Sequence, residues 1–135
     1  MRARETRSVI LVLDENISSK SILEGLLDAH IPVRLQTDFF PRQALDPEAF
    51  KILFDHPDCY LLTKDRKFHR KPAEKEALQR YGIGAFVITS QKNKTGPELV
   101  ELIRVAWPRI ERFALSNERP FIAKILVDGR IKKVI

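Results

Sequence analysis

Ser8-Val9-Ile10-Leu11-Val12-Leu13-Asp14-Glu15-Asn16 is the stretch that decides the fold. From Val9 to Leu13 apolar side chains follow one another without polar alternation, and Val9, Ile10 and Val12 are β-branched. A run of that kind is a strand covered on both faces, as in a parallel sheet. It stops at a carboxylate. Three further segments have the same character: Ile31-Pro32-Val33-Arg34-Leu35, Cys59-Tyr60-Leu61-Leu62-Thr63 and Ala85-Phe86-Val87-Ile88-Thr89. Pro32 has no amide to give a ladder, which sends the second segment to a strand start or a sheet edge.

Helical spacing fills the gaps between these runs. Ile22, Leu23, Leu26 and Leu27 form an apolar stripe, with Ser21 and Glu24 as a capping box and Ser18 as an alternative start. Asp46-Pro47 reads as an N-cap followed by proline at the first helical position, with Phe50, Leu53 and Phe54 on one face. Pro72 opens a shorter helix to about Arg80. Thr95-Gly96-Pro97-Glu98 is a second capping box, ahead of a long stripe through Leu99, Leu102, Ile103, Ala106, Ile110 and Phe113. Pro108 is expected to kink or split that helix, because it removes a donor and crowds the Arg104 carbonyl. Trp107 reads as core or as a partner contact. Strand and helix thus alternate, which predicts an α/β fold with a mostly parallel sheet and helices on both sides. The tail differs: 121–127, Asp128-Gly129 and 130–135 read as a β-hairpin about a two-residue turn.

A chain of 135 residues holds one domain of ordinary size, read here as 1–135 with 1–7 a flexible basic N-terminus. Hydrophobic residues at 44% and charged ones at 31% exclude disordered and collagen-like classes. Cys59 is the single cysteine, which excludes an intrachain disulfide and a multi-cysteine zinc site and favours a reducing, cytoplasmic setting. The basic start followed by Val9 to Leu13 has the order of a secretory signal, but the apolar run ends at Asp14, too short for one. No segment has the roughly 20 apolar residues of a membrane span. A net charge of +6 favours a polyanionic partner such as nucleic acid.

In open α/β sheets, ligands bind beyond the carboxyl ends of the strands, so polar residues just after the strand runs are the first candidates. Asp14 follows the first run and Asp65 the third, two residues after Thr63. If those runs are neighbours, both carboxylates face one crevice. Asp46 and Glu48 lie in the first turn of the helix between them, with Asp46 the better cap and Glu48 the better ligand; Asp38 sits in the preceding loop and Asn16 just beyond Asp14. Each also has a plain structural reading, as a strand end, a cap or a loop carboxylate. Gathered carboxylates repel one another unless a cation sits among them, and an all-oxygen set suits magnesium or manganese.

Beside them runs Lys64-Asp65-Arg66-Lys67-Phe68-His69-Arg70-Lys71, five of whose eight residues are Lys or Arg. Alone, such a run is a solvated face. Next to a metal-binding pocket it is also what a phosphodiester needs to approach carboxylates. Phosphate-cradling glycine motifs, a G-x-S-x-G elbow and paired histidines are all absent, and His30, His56 and His69 are scattered.

Leu13-Asp14-Glu15-Asn16, Thr37-Asp38-Phe39-Phe40, Asp46-Pro47-Glu48 and above all Leu62-Thr63-Lys64-Asp65-Arg66 with Arg70-Lys71-Pro72-Ala73-Glu74 resemble the PIN-like ribonuclease domains of VapC-type toxins. Thr95-Gly96, Pro108-Arg109-Ile110-Glu111 and Pro120-Phe121-Ile122-Ala123 extend the resemblance along the chain. It implies a three-layer PIN-like fold that cuts RNA by magnesium-dependent hydrolysis, with manganese as a substitute, under the control of an antitoxin protein. By that resemblance Asp14, Glu48 and Asp65 are catalytic metal ligands, and Thr63 is a hydroxyl that orients Asp65. Lys64, Arg66, Lys67, Arg70 and Lys71 would hold RNA phosphates; Asp38, Asp46 and Asn16 are weaker candidates. RNA and an antitoxin are then the expected partners, with homodimerisation left open and no membrane. Lys67 stands where related sequences often carry a second acid, and Thr89-Ser90-Gln91-Lys92-Asn93-Lys94 holds no fourth one, so one cation fits better than two. The rival readings are a catalytically weak PIN-like module that binds RNA or protein, and a receiver-like signalling domain, which lacks a counterpart of the lysine expected after the last strand.

Overall fold

The computed structural model describes residues 9–14, 17, 19–38, 55–64, 76, 79–89 and 95–134. In chain order these form β1 (Ile10–Leu13), α1 (Lys20–Asp28), β2 (Val33–Leu35), a 3-10 turn (Gln36–Asp38), β3 (Cys59–Thr63), β4 (Gly84–Ile88), α2 (Gly96–Ser116), β5 (Phe121–Ile125) and β6 (Ile131–Lys133). The strands make one six-stranded sheet in the order β2-β1-β3-β4-β5-β6. All neighbours run parallel except β5 and β6, which form the antiparallel C-terminal hairpin. This is the α/β architecture that the alternation of the sequence predicts, with each apolar run in its expected place and Pro32 just ahead of an edge strand.

Alternation along the strands sorts the side chains into two faces. Leu11, Leu13, Val33, Tyr60, Leu62, Phe86, Ile88, Phe121, Ala123 and Ile125 join Ile22 and Leu26 of α1 and Leu99, Leu102, Ile103, Ala106, Ile110 and Ala114 of α2 in one apolar core. Both helices therefore lie on the same face, and Val100 of α2 closes on Gly25 of α1. Val12, Leu61, Ala85, Val87 and Ile122 point the other way and are equally buried, so the sheet is covered on both faces. Burying each large apolar side chain contributes about 1.5–3 kcal/mol. Tyr60, Phe86, Phe113 and Phe121 pack ring against ring, with centroids 5.0 Å apart for Phe113 and Phe121 and 5.4 Å for Phe86 and Phe121. Gly84 lies beneath these rings: a Cβ there would sit 2.7 Å from Tyr60 Cδ2.

The local signals came out unevenly. The Thr95 capping box forms as predicted, the Thr95 hydroxyl accepting from Glu98 N and the Glu98 carboxylate from Thr95 N. At α1 the cap is Ser19, whose hydroxyl accepts from Ile22 N, rather than Ser21 or Ser18. Leu27 of the predicted stripe is 49% exposed. The long helix runs through Pro108 without splitting. Arg104 and Pro108 are both exposed, so the carbonyl left without a donor lies on the solvent side. Trp107 packs at the margin of the core. The hairpin turns through Val127-Asp128-Gly129 rather than two residues: Leu126 N donates to Arg130 O, and Gly129 N to Leu126 O. A two-residue Asp-Gly turn requires positive φ at both positions, and only Gly129, at 87°, has it. The predicted Asp46–Pro47 helix and the Pro72 helix start lie outside the described residues, though Glu76 and residues 79–81 are helical.

Candidate functional site

β1 and β3 are neighbours, which is the condition the carboxylate argument needed. The register pairs Leu13 with Leu62, so Asp14 follows the end of β1 beside Thr63, the last residue of β3. From β1 the chain passes to β2 on one side, and β3 then lies on the other; ligand crevices of open α/β sheets form at the carboxyl ends of strands around such a reversal.

The backbone holds Asp14 from both directions. Its amide donates to Leu62 O at 3.2 Å, continuing the ladder to β3, and its carbonyl accepts from Ile17 N at 3.1 Å. Ile17 is itself buried. The Asp14 side chain is only 2% exposed, and the Thr63 hydroxyl, wholly buried, donates to Asp14 Oδ2. The resemblance paired Thr63 with Asp65, which lies outside the described residues; the partner seen is Asp14. A hydroxyl has one proton to donate, and here it goes to a carboxylate on the neighbouring strand.

Other expected residues are placed differently. Lys64 is exposed directly after β3, as a phosphate-holding cation requires. Asp38 is exposed and works locally, accepting from Leu35 N at 3.0 Å and pairing with Arg34 at 3.5 Å, so it closes the turn after β2. Glu48, Asp65, Asn16, Asp46, Arg66, Lys67, Arg70 and Lys71 lie outside the described residues. Among the described residues no three of His, Cys, Asp and Glu converge as a metal site. Cys59 is buried, and burial pushes its thiol up from the ordinary value, with Asp58 adding to the shift and Arg34 and Arg119 opposing it. It is a buried structural thiol.

Sequence reasoning passed over one residue at this edge. Gln36, the first residue after β2, is 1% exposed, and neither Nε2 nor Oε1 of its side chain has a hydrogen-bond partner. The rule that selected Asp14 after β1 would have selected it too, but glutamine after a strand is commonly solvated, and its burial is a tertiary fact. Among the described residues the buried polar side chains are Asp14, Gln36 and Thr63. All stand at the carboxyl ends of the adjacent strands β2, β1 and β3.

The family model described as PIN like domain matches residues 9–90, more than half of the chain. This chain belongs to the PIN-like domain family. Searches of curated proteins and of solved structures returned no match. PIN-like domains are generally nucleases, so a nucleic acid is the class of substrate that membership implies. The matched span of the PIN-like domain contains Asp14, Asp38, Glu48, Thr63 and Asp65 and the basic run from Lys64 to Lys71. No helix among the described residues is long and apolar enough to cross a membrane.

Proposed function

We propose that this PIN-like domain is a divalent-cation-dependent endoribonuclease that hydrolyses RNA phosphodiesters in the cytoplasm, as the toxin half of a toxin–antitoxin pair. The observation that carries the reading is Asp14: a buried carboxylate at the carboxyl end of β1, hydrogen-bonded by Thr63 from the next strand. Its donor set fits Mg2+ or Mn2+, since carboxylate, amide and hydroxyl oxygens are hard ligands, and these are the buried polar side chains among the described residues. Asp14, Glu48 and Asp65 are the residues that would hold the cation. The chemistry supplied there is acidification of a water and neutralisation of charge growing on the phosphate. Thr63 keeps the Asp14 carboxylate aimed into the crevice. Lys64, Arg66, Lys67, Arg70 and Lys71 take backbone phosphates and hold the strand against the carboxylates.

The test is incubation of the purified chain with a mixed RNA pool. Wild type should cut in Mg2+ or Mn2+ and stop in chelator. Asp14→Asn and Asp65→Asn should each lose at least about a hundredfold in rate while circular dichroism shows the fold retained. Wild-type cleavage by Asp65→Asn would remove the site assignment, and RNA binding without cleavage in either metal would favour the binding module.

A further inference from the structure

Asp14 and Thr63 answer one another; Gln36 answers nothing. Its amide nitrogen and oxygen are both sealed from solvent and both lack a hydrogen-bond partner. Burying a primary amide in that state costs folding free energy, and an apolar residue of similar shape would avoid the cost. Local structure does not require it either, because the turn after β2 is closed by the Asp38 carboxylate on Leu35 N.

Position supplies the reason for the residue. Leu35 of β2 is in register with Leu13 of β1, and Gln36 and Asp14 are the residues that directly follow this pair on the two adjacent strands. Neighbouring strands lie about 4.8 Å apart, within the reach of both side chains to a shared point. Val33 and Leu35 pack toward the helices, and Gln36, the next residue, opens the 3-10 turn with its side chain buried at the same end of the sheet as the Thr63–Asp14 hydrogen bond. An amide oxygen is a neutral hard donor, and oxygen sites for divalent cations routinely combine carboxylates with carbonyl oxygens. An anionic carboxylate with an unspent amide oxygen beside it is half of such a shell.

We propose that Gln36 is a ligand of the divalent cation, its Oε1 supplying a neutral oxygen next to the Asp14 carboxylate. The proposal rests on the site reading given above but not on the nuclease step. It explains why a folding cost is retained: the amide finds its partner in the cation.

The experiment measures Mn2+ binding to the full chain by titration calorimetry, with thermal unfolding in chelator alongside. Gln36→Met should melt higher than wild type in chelator, because the orphaned amide is gone, and bind Mn2+ about tenfold more weakly. Gln36→Glu should melt lower in chelator and bind Mn2+ more tightly than wild type, since it adds a charge at the same point. Asp14→Asn should lose Mn2+ binding. If Gln36→Met binds Mn2+ as wild type does while Asp14→Asn does not bind it, the assignment of Gln36 falls and the site survives. If wild type binds no Mn2+, both fall.

Discussion

A carboxylate at 2% exposure persists only where donors or cations face it. For Asp14 one such donor is the Thr63 hydroxyl, contributed by a different strand. Thr63→Val keeps the β-branched shape that packs in β3 and deletes that donor. The expected result is a stability loss of about 1–3 kcal/mol in urea unfolding at neutral pH, because the carboxylate remains buried with one bond fewer. Thr63→Ser, which keeps the hydroxyl, should lose much less to this cause. Equal midpoints for the Val variant and wild type would show that the bond does not support the carboxylate.

Among the elements, α1 ends in a way its sequence does not advertise. His30 N donates to Leu27 O and Ile31 N to Leu26 O, a pair of bonds that closes the helix end while Ile31 and Leu26 meet in the core. The residue at the turning point is normally glycine, and here it is His30 with φ at 62°. A side chain in the left-handed region costs about 1 kcal/mol or more. His30 is exposed and its ring is not needed for packing. His30→Gly should therefore raise stability by about 1 kcal/mol in denaturant titration, and an unchanged or lower midpoint would contradict the strain argument. The α1 start shows the converse ambiguity: serines at 18, 19 and 21 can all cap, and Ser19 is chosen because that phase turns Ile22 and Leu26 onto the sheet.

For the molecule as a whole, the net charge of +6 bears on the proposed binding of RNA. If Lys64, Arg66, Lys67, Arg70 and Lys71 each neutralise one phosphate of a single strand, the slope of log affinity against log salt is about −3.5. Raising salt from about 50 to about 200 mM should then weaken binding roughly a hundredfold. Fluorescence anisotropy in chelator, which prevents cleavage, measures this directly. A flat response would remove these cations from the interface.

The parallel strands, the Thr95 cap and the candidate acid after β1 were all readable in the chain, since each depends on neighbours within a few residues. Apolar runs must be buried, a capping box reports on the next turn, and an acid ending such a run stands out against it. What no single stretch could reveal was which strands adjoin. The order β2-β1-β3 brings residues 14, 36 and 63 to one edge. That order also gave the Thr63 proton to Asp14 and buried Gln36 without a partner. Burial and pairing of polar groups depend on long-range contacts, so only the tertiary structure decided them.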